Sequence, residues 1–216
     1  MTHSETVFER ICREAGYEIE QPVLRSRDGI KTADFVITVN GRCVIAEVEE
    51  LRPNRDDLRQ INAMQRGESV GGGCTIGARP RKRIRRAVEQ LKPYADRGVP
   101  LRVILYDNVR AAKTRVAYPM FYLQRHDIDA AMYGDRVAYI SLATRSRLQP
   151  DRNGGQRTCT ANQKTYISAI AVISDHDDKT VLFYHNCFAS VPLFRGENFF
   201  HLQKVAGEPW QWSVLE

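Results

Sequence analysis

Apolar residues recur at helical spacing from residue 5 to residue 16. Val7, Phe8, Ile11, Cys12 and Ala15 fall on one side, Ser4 is placed to cap the start, and Gly16 can end it. The pattern then switches to strands, in Ile30–Val39 and Arg42–Leu51, separated only by Asn40 and Gly41. Two β-rich runs joined by Asn-Gly predict a tight hairpin, because both turn residues tolerate positive φ. Past Pro53 the signal weakens to a short helix over Asp56–Met64 and a flexible loop, RGESVGGGCTIGARP, over 66–80. No GK[ST] follows those glycines, so the loop is not a nucleotide P-loop. An amphipathic helix is predicted over 81–95, with Ile84, Ala87, Val88, Leu91 and Ala95 on one face and Gly98, Val99 and Pro100 as its stop. Leu101–Asp107 is a short apolar run, typical of a strand buried on both faces, and a helix leading into such a strand suggests a crossover onto the same sheet.

The pattern of the second half is less clear, and it holds no internal repeat. A short helix is expected over Asp127–Tyr133, a strand over Val137–Leu142, and a mobile basic loop over 144–164 that contains Gly154 and Gly155. Tyr166–Ser174 and Thr180–Asn186 flank a DHDD turn and read as a second hairpin. The expected fold is α/β, a mixed sheet flanked by helices, with this C-terminal β-hairpin as an extension. The division is a core over 1–107 and a strand-rich extension over 108–216 within a single domain.

Composition narrows the class. With 216 residues, 43% of them hydrophobic and 27% charged, the chain can bury a full core as one decorated domain. No apolar run approaches the ~18 to 20 residues of a membrane span, and the opening MTHSETVFERICREAG is charged throughout, so a cytoplasmic protein is expected. Five cysteines (Cys12, Cys43, Cys74, Cys159, Cys187) without a CxxC pair indicate neither a disulfide framework nor a zinc knuckle, and mostly buried free thiols are expected. The net charge is +6, but residues 52–92 alone hold eleven Lys and Arg against four acids. Residues 144–164 add five basic residues against one acid, which leaves the remainder net acidic. Clustered Lys and Arg of this kind fit a polyanion, since phosphate neutralisation releases counterions. Arg79, Arg81, Lys82, Arg85, Arg145, Arg147, Arg152 and Arg157 are the candidates for gripping a nucleic-acid backbone. A plain solvated helix face is the competing reading.

The chemistry lies in the first hairpin. With Asn40 and Gly41 as turn residues, Val39 faces Arg42, and the same register sets Asp34 opposite Glu47. Opposed residues project from one face with Cβ atoms about 5 Å apart. Glu49 joins them because strand periodicity is two. Three carboxylates among Phe35, Val36, Ile37, Val44, Ile45 and Val48 need a positive partner. A hard divalent cation with oxygen ligands, Mg²⁺ or Mn²⁺, meets that need and also serves phosphodiester hydrolysis. A solvated face paired with Arg or Lys is the plainer alternative.

An acidic helix, a hairpin bearing Asp and then an ExK-like triplet, and a helix packed on the sheet resemble the core of the PD-(D/E)xK nuclease superfamily, over residues 1 to about 107. TADF carries the motif's Asp34, IAEVEE its (D/E)xK strand, and QLKPY, Gln90–Tyr94, is similar to the QxxxY element of the RecB-like branch. The later AMYGD, NQKTYISAIAVI, VLFYHN and ASVPL resemble segments of uncharacterised bacterial proteins sharing this core. The resemblance implies a restriction-endonuclease-like fold and a metal-dependent nuclease acting on DNA, or alternatively RNA, with a role in host defence or repair. Asp34 and Glu47 would bind Mg²⁺, an acid of the first helix, Glu5 before Glu9, would complete the site, and Gln90 and Tyr94 would belong to it. Glu49 stands where the superfamily usually has Lys. Glutamate supplies no positive charge, but it can accept a proton or hold a second metal, and some restriction endonucleases of the superfamily work with an ExE triplet. On a helical wheel Arg83, Arg86, Gln90 and Tyr94 share one flank, so Arg83 or Arg86 is the candidate to stabilise the phosphate, or that flank is an ordinary amphipathic border.

A second reading is a pseudo-nuclease that lost catalysis with the lysine and acts as a nucleic-acid-binding or complex-forming subunit. Glu49 discriminates: on a metal it supports catalysis, and in a salt bridge to Arg83 or Arg86 it is structural. A third reading is an interaction module dimerising through the C-terminal hairpin and the strand bearing Trp210 and Trp212. His185 reads as a core histidine and His176 as a solvated turn residue, because neither has further zinc ligands at readable spacing.

Overall fold

The computed structural model describes residues 1–22, 32–71, 76–108, 123, 125–134, 136–137, 141, 143–144, 152–153, 156–174, 177–193, 200–204 and 212–215. Helix α1 spans His3–Glu14 and opens two residues earlier than the sequence suggests. Thr2, not Ser4, is the cap: its hydroxyl accepts from the Glu5 backbone N–H at 3.3 Å, and Glu5 returns a carboxylate to the Thr2 N–H at 2.9 Å. This reciprocal box satisfies two of the helix's free donors and leaves Ser4 to be buried. Strand β1 is Glu18–Glu20, and β2 (Phe35–Val39) and β3 (Arg42–Leu51) form the expected hairpin, with Val39 opposite Arg42 and positive φ at both Asn40 and Gly41.

Helix α2 spans Arg55–Gln65 and is capped by Asn54. Helix α3 spans Ala78–Leu91, three residues longer at its start than expected, and a 3₁₀ turn over Lys92–Arg97 follows it. Its start is fixed by Gly77, at φ +74°, where an added Cβ would lie 2.9 Å from Ala130 and from the backbone of Ala131 and Asp127. Only glycine lets α3 approach helix α4 (Arg125–Tyr133) this closely. Strand β4 (Leu101–Asp107) follows, every residue of it buried, and it pairs parallel to β3 through the predicted crossover.

Four strands of the second half join the same sheet as the first. Strands β5 (Arg136–Val137) and β6 (Arg152–Asn153) form a separate two-stranded ladder, so the strand expected over 137–142 starts one residue early and off the main sheet, and residues 138–140 and 142 lie outside those described. Strands β7 (Ile167–Ser174) and β8 (Asp177–His185) are the expected antiparallel hairpin, but β7 lies parallel against β4 in mid-sheet. The physical reason is β4 itself: a strand apolar on both faces needs a hydrogen-bonded neighbour on each side. Strand β9 (Phe200–Lys204) and strand β10 (Trp212–Leu215) complete one mixed sheet in the order β1-β2-β3-β4-β7-β8-β9-β10.

The class is therefore α/β, a mixed sheet with helices on both faces. On one face α1 packs Val7, Phe8 and Ile11 against Phe35, Ile37, Ile104 and Phe183. On the other, α3 and α4 pack Ile84, Val88, Leu91 and Met132 against Ile45, Val103 and Ile170. Among the described residues no helix is long and apolar enough to cross a membrane. Four cysteines are described, all free, with Cys12 and Cys159 buried and Cys43 and Cys187 exposed, while Cys74 lies outside the described residues. His185 is buried as expected, and His176 and Trp210 lie outside the described residues.

Candidate functional site

The β2–β3 ladder ends at Phe35 and Ala46, one residue short of Asp34 and Glu47. Strand β3 runs on past its partner, and a cleft of about 700 Å³ opens over its unpaired edge. Asp34 sits where β2 bends away, and its Oδ2 accepts the Val48 N–H at 2.8 Å, a bond the ladder would otherwise have supplied. The preceding residue is fixed from below, since the Ala33 N–H donates to the hydroxyl of buried Tyr94 at 3.1 Å. Tyr94 thus positions the Asp34 segment and does not line the cleft, a different part from the one the motif suggested.

Glu47 is 3% exposed, and its Oε2 has no hydrogen-bond partner. Burial first, then the charges of Asp34 and Glu49, push its carboxyl up to about 9. Asp34 is raised to about 6, again chiefly by burial, with the Val48 N–H opposing and Glu5 and Glu49 adding. Two carboxyls that resist ionising side by side in a cleft mark it as a candidate functional site. Glu5, from the first turn of α1, lines the same cleft, whereas Glu9 pairs with Arg13 at 2.7 Å.

Of the two arrangements expected for Glu49, on a metal or paired with Arg83 or Arg86, the second is the one present. Glu49 is buried, with Arg83 Nη1 3.3 Å from Oε2 and Arg86 Nε 3.1 Å from Oε1. The Arg86 Nε–H donates to Gln90 Oε1 at 3.5 Å and leaves Glu49 Oε1 without a hydrogen bond, and one flank of α3 delivers Arg83, Arg86 and Gln90 together to the cleft. Among the described residues no group of three or more His, Cys, Asp or Glu stands ready to hold a metal, and Glu49 faces the guanidinium groups. What remains for a hard cation is the pair Asp34 and Glu47 with Glu5 nearby. All-oxygen donors and an orphaned buried carboxylate oxygen fit Mg²⁺ or Mn²⁺.

Sequence reasoning missed the far wall of the cleft, where Glu50 and Arg52 stand. Glu50 points to the opposite sheet face from Glu49. Burial would raise its carboxyl, but Arg52 at 2.9 Å and Asn108 at 2.5 Å outweigh that and hold it below the ordinary value. The EVEELR run was the available signal.

The basic candidates separate. Lys82 and Arg85 are exposed on α3 as expected. Arg81 is not on the surface: it shares the face of Ile84 and Val88, is 4% exposed, and donates to Gln156 Oε1 at 2.8 Å and to the Ala130 carbonyl at 3.2 Å. Arg79 is likewise engaged, 3.2 Å from the buried carboxylate of Asp107 at the end of β4. Arg145 and Arg147 lie outside the described residues, Arg152 begins β6, and Arg157 is exposed. The described part of the expected mobile loop is tethered. The N–H groups of Thr158 and Cys159 donate to the Met132 carbonyl at 3.0 and 2.8 Å, and Lys164 pairs with Glu89.

Fold and site together define an α/β protein with a carboxylate pair, Glu47 buried and Asp34 half-buried, in an open, arginine-walled cleft. No family model, no curated protein and no solved structure matches the chain.

Proposed function

We propose that this protein is a metal-dependent nuclease with a restriction-endonuclease-like core, hydrolysing phosphodiester bonds in DNA. The observation that carries the reading is the unpartnered Oε2 of Glu47, buried beside Asp34 at the floor of the cleft. Leaving a buried carboxylate oxygen unsatisfied costs about 1–3 kcal/mol or more, and a bound cation removes that cost. Asp34 and Glu47 would hold Mg²⁺ or Mn²⁺, with Glu5 within reach of the same space. The cation would supply Lewis-acid polarisation of the scissile phosphate. Arg83 and Arg86 offer guanidinium donors to the charge that develops on the phosphoryl oxygens, and Lys82 and Arg85 extend the basic surface along the exposed side of α3. Such contacts position a backbone without reading bases.

The second reading, a pseudo-nuclease that binds nucleic acid or a partner subunit, is favoured by one observation: Glu49 is engaged by Arg83 and Arg86. Cleavage of labelled single- and double-stranded DNA and RNA, with Mg²⁺, Mn²⁺ or EDTA, decides between them. Metal-dependent cutting that disappears in Asp34→Ala and Glu47→Ala supports the nuclease. Salt-sensitive binding without cutting on any substrate replaces it with the pseudo-nuclease.

A further inference from the structure

We infer that Glu49 is a positioning residue for two arginines, and that the cluster Glu49, Arg83 and Arg86 performs at this site the work of a single lysine. The inference rests on the nuclease reading and specifies the part of that site which faces the phosphate.

The triplet on β3 places position 49 on the same face as Glu47, two residues on, where a cationic side chain would reach a phosphate held by the Asp34–Glu47 ion. A glutamate there has the wrong sign for such a contact. The structure resolves the conflict through α3. Arg83 and Arg86 stand three residues apart, within one helical turn, and both reach the same carboxylate, one on each oxygen. One negative and two positive charges leave the cluster with a net single positive charge, the same charge that a lysine at position 49 would carry.

Accessibility completes the argument. The Glu49 side chain is 6% exposed, whereas Arg83 and Arg86 are 39% and 55% exposed, and all three line the cleft. The carboxylate is thus withdrawn: Oε2 accepts a hydrogen bond from Arg83, while Oε1 faces Arg86 Nε at 3.1 Å as an ion-pair contact. Each guanidinium has five N–H donors, and the contact to Glu49 uses only part of that set. The remaining donors are left for a planar, multidentate grip on phosphoryl oxygens, a geometry that one ammonium does not provide. Glu49 would not touch substrate. It acts by restricting two long side chains that otherwise lose conformational freedom on binding.

Three sets of variants test this, each checked for folding by its melting curve and each read for both metal binding and cleavage. Mn²⁺ titration by calorimetry needs no turnover and reports the ligands directly. Asp34→Asn should lose Mn²⁺ binding, whereas Glu49→Gln should keep it within about threefold, while kcat on duplex DNA falls about 100-fold, the scale of removing a preorganised donor. The double variant R83Q/R86Q, whose cluster carries net negative charge, should also bind Mn²⁺ and fail to cut. Adding Glu49→Lys to that double variant returns the net single positive charge and should recover at least about tenfold of the lost kcat. Loss of Mn²⁺ binding in Glu49→Gln would make Glu49 a metal ligand and overturn the inference, as would unchanged kcat in that variant. A triple variant that binds Mn²⁺ but recovers nothing overturns the charge equivalence. If the wild-type protein binds no Mn²⁺ and cuts nothing, the nuclease reading itself fails, and the inference falls with it. That outcome is distinct because it is seen before any change at position 49.

Discussion

Replacing Glu47 with Gln should stabilise the metal-free protein at neutral pH, although it removes the most buried carboxylate of the site. The Glu47 carboxyl is pushed up to about 9 in the folded protein, by burial first and then by Asp34 and Glu49, from a reference value of 4.5. A carboxyl raised in this way stabilises the fold fully below the unfolded value and loses that contribution as pH climbs toward the folded one. Over that window the unfolded chain releases a proton that the folded chain keeps. At 1.36 kcal/mol per pH unit, the loss between pH 5 and pH 7.5 is about 3 kcal/mol. Asp34, raised to about 6, adds a smaller loss confined to the range from 3.8 to about 6. Glutamine is neutral at every pH and nearly the same shape, so Glu47→Gln in EDTA should lack most of this slope. For a domain of this size the difference at pH 7.5 corresponds to roughly 6–12 °C in Tm. Circular-dichroism melts in EDTA from pH 5 to pH 8 measure it. Adding Mn²⁺ should reverse the order, because a cation favours the ionised carboxylates of the wild type and finds one ligand missing in the variant. Parallel pH profiles for the two proteins in EDTA would refute the electrostatic account of the cleft.

Arg81→Ala should lower stability by about 1–3 kcal/mol, since it strips a part-buried hydrogen bond from Gln156 and a buried one from the Ala130 carbonyl, and should leave the salt dependence of DNA binding unchanged. Lys82→Ala and Arg85→Ala should do the opposite, keeping Tm while each reduces the slope of log K against log salt by about 0.9. Gly77→Ala should cost about 2 kcal/mol or more in denaturant unfolding, because it combines a left-handed backbone with contacts of 2.9 Å to α4.

The hairpin was legible because Asn40 and Gly41 have one conformational reason to be adjacent, and that turn set the register on which the Asp34–Glu47 pairing rests. Where the ladder stops was not legible. The bend at Asp34, with its bond to the Val48 N–H, depends on Tyr94 holding Ala33 from another element. Helical periodicity placed Arg83, Arg86 and Gln90 on one flank correctly, whereas the clustering of basic residues put Arg81 among the surface cations although the spacing 81, 84, 88 and 91 sets it on the buried face of α3. Choosing between a metal and two guanidinium groups as the partner of Glu49 was likewise beyond a single sequence, since both answer the same charge. The place of β7 was the largest miss: a parallel pairing with β4 leaves no local mark, whereas its antiparallel pairing with β8 does.

That β4–β7 pairing has a consequence for synthesis. Leu101 pairs with Ile167, so one side of the central strand waits for residues made 66 positions later. At about 5–20 residues per second the interval is roughly 3–13 s, during which a strand apolar on both faces has β3 on one side and an open edge on the other. Open apolar edges recruit other strands, so the nascent first half is the aggregation-prone species. A chain ending near residue 107 should need a chaperone to stay in solution, and slowing translation between β4 and β7 should lower the yield of folded protein without changing its stability.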